Sequence, residues 1–257
     1  MKVLKILSGL STMFLLCFTS CVHIIGNGSV SAYEINVAPF EEIENNGPGI
    51  IRYYFGNKHR VVLNIDSNLE KYVSIVSENN TLKIRKRNTH LSVLSANYSI
   101  DVYSPSISAI SISGSGKFES HEKISAETVK LEVIGSGAME TDVECKELTL
   151  SLSGSGNLSG SIKTDNLIAR SSGSGEIIIS GNSQNADIVM TGSGRFRGSE
   201  FNVNSGILSL RGSGSISICV TEYMKANISG SGNIYYQGTP MLDYSGNGSG
   251  RLINKHE

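Results

Sequence analysis

The sequence has almost no net charge, no long apolar segment and no helical periodicity, and each absence excludes a class of protein. Its 22 basic and 23 acidic residues give a formal charge of -1, which provides no electrostatic basis for binding nucleic acid or an anionic membrane surface. The apolar run from Ile6 to Phe18 is shorter than the about 20 residues of a membrane span. No window shows the 3.6-residue period of a helix, so we expect an all-β protein.

The N-terminus has the features of an export signal. Lys2 and Lys5 precede the apolar run, which ends in a segment, 18–21, that resembles a bacterial lipobox. We therefore predict that residues 1–20 are a lipoprotein signal peptide and that Cys21 is lipidated, which makes the membrane a partner through the lipid. Residues 21–32 are predicted to be a flexible, lipid-anchored tether because they are rich in Gly, Asn and Ser. No acidic residue follows Cys21 in 22–25, which favours the periplasmic side of the outer membrane over the cell surface.

Gly-Ser-Gly occurs eight times, and successive copies begin 18 to 21 residues apart. Upstream of each copy, apolar and polar residues alternate, which is the pattern of a strand with one buried face. A unit this short cannot bury its own apolar face, so stacked copies must share one core. We predict a parallel β-helix (solenoid) over 109–257 in which each repeat forms one rung. The variable period favours a right-handed coil over the left-handed coil of strict hexapeptide repeats.

The glycines of the tripeptides are interpreted as structural corners, since no helix follows them to form a phosphate-binding loop. These corner glycines are Gly114, Gly116, Gly135, Gly137, Gly154, Gly156, Gly173, Gly175, Gly192, Gly194, Gly212, Gly214, Gly230, Gly232, Gly248 and Gly250. Residues 33–108 lack the tripeptide but read as further strands, with a hairpin near Ser77 to Asn80. The charge cluster from Lys83 to Arg87 is interpreted as the solvated face of an edge strand.

Few residues form a pattern typical of a catalytic or metal-binding site. The five histidines have no partner at metal-ligand spacing, and no aspartate follows the tripeptides at the offset of a calcium-binding repeat, so we predict neither metal nor cofactor. Glu119 and Glu140 occupy the same column one rung apart, but we assign no catalytic residues. Cys145 and Cys219 lie about four rungs, or about 19 Å, apart, too far for a disulfide, and are predicted to be unpaired, buried thiols.

Several segments together resemble one known family. They are 39–43, 82–84 and 107–116, followed by the serial Gly-Ser-Gly. The pattern is similar to the DUF2807 family, also called the putative autotransporter-adhesin head domain, which is common in Bacteroidetes lipoproteins. The resemblance covers roughly Tyr33 to the C-terminus. It implies a right-handed β-helix without known catalytic residues and with an adhesive role.

The leading hypothesis is a non-enzymatic envelope lipoprotein that presents a polar face to a glycan or protein. Tyr235 and Tyr236 are the candidate ligand contacts. Two alternatives stay open: a carbohydrate-active enzyme (a polysaccharide lyase or hydrolase) on the same scaffold, and a structural envelope-assembly protein. The sequence leaves the oligomeric state and the ligand open.

Overall fold

The protein is a β-solenoid preceded by a mixed N-terminal sheet, as predicted. The computed structural model describes residues 22–87, 91–94 and 97–255. The predicted signal peptide and Cys21 lie outside these residues. The N-terminal elements are β1 (Val22–Ile25), β2 (Val30–Ile35), β3 (Glu42–Asn45), β4 (Ile50–Phe55), β5 (Arg60–Asp66), the 3₁₀ helix η1 (Glu70–Tyr72), β6 (Val73–Glu78), β7 (Thr81–Lys86), β8 (Leu91–Leu94) and β9 (Ser99–Ser104).

The Gly-Ser-Gly repeats form the stacked rungs. Their strands are β10 (Ala109–Gly114), β11 (Lys117–Ser120), β12 (Ile124–Ser125), β13 (Thr128–Gly135), β14 (Ala138–Glu140), β15 (Val143–Gly154), β16 (Asn157–Gly173), β17 (Glu176–Gly192), β18 (Arg195–Gly212), β19 (Ser215–Gly230), β20 (Asn233–Gln237), β21 (Met241–Gly248) and β22 (Leu252–Asn254). All of them pair in parallel, and the first glycine of each tripeptide is opposite that of the next.

The corner requires glycine for two separate reasons, shown by the fifth copy. Gly192 has φ +105, a conformation that disfavours any residue with a Cβ. A Cβ built on Gly192 would also lie 2.6 Å from the carbonyl oxygen of Gly173 in the preceding rung. That oxygen accepts hydrogen bonds from the backbone N–H groups of Ser193 and Gly194, both at 2.9 Å. The glycines therefore allow the rungs to approach closely enough for the hydrogen bonds to continue through the bend.

The core runs along the solenoid. It consists of columns of buried side chains that occupy the same repeat position in successive rungs. Two residues before each tripeptide lie Ile112, Val133 and Leu152, all at most 2% exposed. Two residues after the closing glycine, the column is buried from Phe118 through Ile234. Only its last member, Leu252, is half-buried, because no further rung covers it. The predicted alternation of buried and outward residues is confirmed along these strands.

The solenoid has one stack of strands that lead into the corners and another of strands that follow them, and we call these its two sheets. The N-terminal part continues both sheets upstream. β3 pairs in parallel with β10, and β4 pairs in parallel with β11. Between β3 and β4, the Oδ1 atom of Asn45 accepts a hydrogen bond from Gly47 N at 2.9 Å, which forms a corner without the tripeptide. Antiparallel strands then end each sheet: β2 lies against β5 and β6 against β7.

The hairpin predicted near Ser77 to Asn80 is confirmed, with positive φ at Asn79 and Asn80 in its turn. The interpretation of Lys83 to Arg87 as part of an edge strand is wrong for β7 as a whole. β7 lies between β3 and β6, and its residues 81–84 are paired on both sides, whereas Arg85 and Lys86 pair with β6. β6 is the edge strand of this sheet.

Within the segment predicted as a tether, 21–32, the stretch without strands is shorter than expected. β1 pairs in parallel with β8, and β2 begins at Val30, so only Gly26–Ser29 separate two strands. The apolar, β-branched residues of β1 favour pairing despite the glycines that follow.

The two solenoid thiols are free, as predicted. However, Cys145 and Cys219 are half-buried rather than buried. The Cys145 thiol donates to the carbonyl oxygen of Glu147 at 3.3 Å, and burial raises its pKa.

Candidate ligand-binding face

One outer surface of the solenoid carries two adjoining depressions, and we call it the ladder face. It consists of the outward side chains of β3 and of the strands that lead into each corner. Three columns make up its repeat region: Thr128, Glu147, Asn166, Asn185, Ser205, Tyr223; Lys130, Thr149, Ile168, Asp187, Ile207, Lys225; and Ser111, Glu132, Ser151, Arg170, Val189, Ser209, Asn227. Register between rungs aligns each column parallel to the solenoid axis.

The N-terminal depression of the ladder face has a volume of about 570 Å³ and is acidic. Glu42, Glu44 and Glu132 line it together with one cation, Lys130. Neighbouring hydroxyls orient two of these carboxylates: Thr81 Oγ1 donates to Glu42 at 3.0 Å, and Ser111 Oγ donates to Glu132 at 2.9 Å. The carboxylate oxygens are thus held as acceptors for hydroxyl, amide or ammonium groups.

The second depression, of about 470 Å³, adjoins the first at Thr149, which lines both. Ile168 and Ile207 lie in it and are 43% and 50% exposed, an apolar surface bordered by amides. Asn185 Nδ2 donates to Asn166 Oδ1 at 3.0 Å, so these side chains form a ladder between rungs. The depression therefore offers apolar contact and fixed hydrogen-bonding groups side by side.

An ion pair borders the second depression, which Asp187 lines. Arg170 Nη2 is 2.6 Å from Asp187 Oδ2, and Arg170 Nη1 also donates to the backbone oxygen of Asp187 at 2.8 Å. With Asp187 paired, Glu147 is the remaining carboxylate among the lining residues, whereas three carboxylates line the first depression. An extended ligand on the ladder face would contact carboxylates at one end and an apolar, amide-rich surface at the other.

The predicted contact residues Tyr235 and Tyr236 lie away from the ladder face, on β20, between β19 and β22. Both are half-buried. Tyr235 accepts a hydrogen bond from Asn233 at 3.3 Å, and the Lys255 ammonium lies 4.8 Å from its ring centroid. Tyr236 packs against the core. Their role as ligand contacts stays a prediction.

Glu119 and Glu140 are in register, as predicted, and a lysine links them. Lys117 Nζ lies 2.6 Å from Glu119 and 3.5 Å from Glu140. The hydrogen bond to Glu119 is the main cause that raises the pKa of Lys117. This arrangement is a surface ion-pair cluster of the kind that stacked charges form between rungs.

Sequence reasoning missed an aromatic stack on the N-terminal rungs. Tyr54 stacks on Tyr103 and on His121, with 5.0 Å between ring centroids in each case. Arg60 lies over the Tyr103 ring at 5.4 Å. The histidine is 67 residues from Tyr54 and looked isolated, because only the pairing of β4 with β11 brings them together. The ring faces are used within the stack, so mainly ring edges remain for a ligand.

In the described part of the chain, no group of three or more His, Cys, Asp or Glu side chains could hold a metal ion. No helix within the same residues has the length and apolar character to cross a membrane.

Comparison with known proteins gives a consistent result. The model of DUF2807, described as "Putative auto-transporter adhesin, head GIN domain", matches residues 39–240. The solved structure of a putative lipid binding protein from Parabacteroides distasonis is 29% identical, with a TM-score of 0.86. A putative adhesin from Parabacteroides merdae is 25% identical, with a TM-score of 0.83. Each alignment covers 91% of this chain and 100% of the other. A search of curated proteins found no match.

Proposed function

The chain belongs to the DUF2807 family, and on that premise we propose that it is a non-enzymatic lipoprotein of the cell envelope whose ladder face binds an extended ligand. The family description of an adhesin head implies a location in the envelope or at its surface. Lipidation at Cys21 and a position on the periplasmic side of the outer membrane are parts of this proposal. The ligand is a glycan or an extended protein segment.

The observation that carries the proposal is the continuity of the two depressions at Thr149. The ladder face crosses eight strands from β3 to β19, a length of about 34 Å at about 4.8 Å per strand. A peptide of ten extended residues, or a short linear oligosaccharide, would fit along it. Columns of repeated hydroxyl, amide and carboxylate groups suit a ligand that is itself a repeating polymer.

The carbohydrate-active alternative has weaker support. Its best candidate pair, Glu119 and Glu140, is linked by Lys117 and lies outside the ladder face. The names of the similar structures also favour binding over turnover.

The test is binding to arrays of glycans, extended peptides and lipids with matched isoleucine variants. Ile168→Ser removes an apolar side chain from the second depression, whereas Ile178→Ser removes one of equal exposure (42%) from another surface. We expect Ile168→Ser to weaken binding about tenfold, corresponding to the loss of part of an isoleucine's apolar contact. Ile178→Ser should have no effect.

Four outcomes would contradict the proposal or its ligand. Equal effects of Ile168→Ser and Ile178→Ser would show that the ladder face is not the binding surface. Loss of binding only in Tyr235→Ala and Tyr236→Ala would move the site to β20. Turnover of any bound polysaccharide that disappears in Glu119→Gln would favour an enzyme. Binding of lipids alone would agree with the name of the similar Parabacteroides distasonis protein and would replace the glycan or protein ligand.

A further inference from the structure

We propose that the N-terminal end of the solenoid is a membrane-contacting surface, in which Lys71, Arg85, Lys86 and Arg87 bind anionic lipid headgroups. We call these four residues the basic end. The inference rests on the proposed function, because it takes Cys21 as the lipid anchor. It adds a second, electrostatic attachment point and an orientation of the rod relative to the membrane.

Strand pairing, rather than sequence proximity alone, assembles the basic end. In the β6–β7 hairpin, Lys86 is opposite Val73. The Arg87 backbone N–H donates to the Tyr72 oxygen at 2.9 Å, which brings the end of β7 alongside η1. Lys71 therefore joins Arg85, Lys86 and Arg87, although 14 residues separate it from Arg85. Its ammonium lies 5.2 Å from the Tyr72 ring centroid.

The charge of the basic end is largely uncompensated. Lys71, Arg85 and Arg87 are exposed, and no carboxylate among the described residues forms an ion pair with any of the four. Lys83, on the same strand, differs because Glu78 lies 3.6 Å from it. Glu70 is the adjacent acid on η1, so the local charge is about three positive. The whole-chain charge of -1 conceals this because acids elsewhere balance it.

Hydrogen bonds fix the strand that follows Cys21 against the same end. Asn68, three residues before Lys71, donates from Nδ2 to the Ile25 oxygen at 2.9 Å. Asn27 N donates to Asn68 Oδ1 at 3.1 Å. These contacts hold the end of β1 beside η1, and Cys21 lies one residue before β1.

The start of β1 is also close to the basic end. Val22 is opposite Leu91 of β8, and Leu91 follows Arg87 by four residues. Four Cα–Cα steps of 3.8 Å limit the separation of Arg87 and Leu91 to about 15 Å. With one strand spacing, Val22 lies within about 20 Å of Arg87, and Cys21 directly precedes Val22 in the chain. A lipid on Cys21 would therefore bring the membrane surface near the basic end.

The end of β1 also carries an exposed apolar side chain. Ile25 is 71% exposed, the largest exposure of any described large apolar residue. Apolar and cationic groups beside a lipid anchor are the combination that makes membrane attachment stable, since one acyl chain alone binds reversibly. With this end at the membrane, the rungs extend outward by about 40 Å, and the ladder face lies along the side of the rod.

The test uses the full, processed protein in lipid vesicles and measures amide hydrogen exchange. Vesicles of phosphatidylcholine alone are compared with vesicles in which about a third of the lipid is phosphatidylglycerol. We expect slower exchange in residues 68–87 on the anionic vesicles only, and loss of this protection at high salt because screening weakens it. Lys71→Gln/Arg85→Gln should abolish the protection. Arg195→Gln/Arg211→Gln, which removes two exposed arginines without ion pairs from the solenoid, should retain it.

Equal protection on both kinds of vesicle, or equal behaviour of the two double variants, would overturn the basic end as a membrane surface. Mass spectrometry of Cys21 distinguishes a failure of the basic-end proposal from a failure of the proposed lipid anchor. If Cys21 carries no lipid, the proposed lipoprotein is wrong, and co-sedimentation of the unacylated protein with the same vesicles tests the basic end directly. We then expect about thirtyfold weaker binding for Lys71→Gln/Arg85→Gln, from about 1 kcal/mol per removed charge. Unchanged binding would refute the inference.

Discussion

A pair of glycine-to-alanine variants separates the two reasons for glycine at the corners. Gly114 and Gly192 occupy the same position of the tripeptide, with φ of +97 and +105. A Cβ on Gly192 would lie 2.6 Å from the Gly173 oxygen, whereas a Cβ on Gly114 would meet nothing within 4 Å. The difference arises because the rung before Gly114 turns through the Asn45–Gly49 corner, which follows another path.

The expected magnitudes follow from this geometry. Gly114→Ala should cost about 1–2 kcal/mol, the strain of a left-handed conformation for a residue with a Cβ. Gly192→Ala carries the same strain, and its Cβ is also about 0.8 Å short of ordinary contact with a backbone oxygen that holds two hydrogen bonds. Overpacking of this kind adds about 1–3 kcal/mol. We therefore expect about 2–5 kcal/mol for Gly192→Ala.

Thermal unfolding is the measurement, with Ser193→Ala as the control for the exposed middle residue. For a domain of this size, 1 kcal/mol corresponds to about 2–4 °C in Tm. Gly114→Ala should lower Tm by about 5 °C, Gly192→Ala by about 10 °C, and Ser193→Ala by less than about 2 °C. Equal shifts for the two glycine variants would refute the close approach of rungs as a reason for glycine. A neutral Gly192→Ala would refute the corner geometry itself.

Two further predictions concern contacts between rungs. Hydrogen bonds from Lys123 and Lys163 lower the pKa of Glu144 to about 2 from an ordinary 4.5, so its stabilising contribution is present above pH 4.5 and lost as the pH falls towards 2. Glu144→Gln should therefore have a lower urea midpoint than the unmodified protein at pH 7 and the same midpoint near pH 2; a constant difference would contradict the assignment. Cys145→Ser should change stability by less than about 0.5 kcal/mol in urea unfolding. Thr164 and Ser183 occupy the same column, and each hydroxyl donates a hydrogen bond to the backbone oxygen of the residue two positions later, so a serine can replace the thiol donor. Cys145→Val, which cannot donate, should cost about 1 kcal/mol, and equal effects of the two variants would exclude this hydrogen bond.

The solenoid could be predicted from the sequence because its signal is repeated. Each tripeptide marks a corner, and the residues two positions before it and two after it are buried in every described rung but the last. A single copy would carry little information, but in-register copies specify both the strand and its neighbour. The corner at Asn45 lacked this signal, although Ile43 two positions upstream preserves the alternation. For this reason the upstream rungs were predicted only as a β-rich part.

The candidate binding surfaces were less predictable because they depend on pairing between dissimilar segments. To predict the ladder face, one must know which outward columns form depressions, and that depends on side-chain size in each rung. Tyr235 looked available for ligands, but Lys255 lies over its ring at a distance that the sequence alone does not give. Likewise, Lys71 and Arg87 come together only through the β6–β7 hairpin. The edge-strand interpretation failed for the same reason, since the partner of β7 on its second side, β3, lies far from it in the chain.

The direction of the inter-rung hydrogen bonds has a mechanical consequence. They run parallel to the solenoid axis, and each rung contacts only its neighbours. A pull along the axis from a held N-terminal end loads these bonds in series. The last described rung, β21 and β22, is paired on one side only and separates first. Each rung of about 19 residues that opens releases about 65 Å of chain while the remaining stack keeps its shape. A solenoid that holds a ligand under tension would thus lengthen in steps, rung by rung, before its N-terminal end is disturbed.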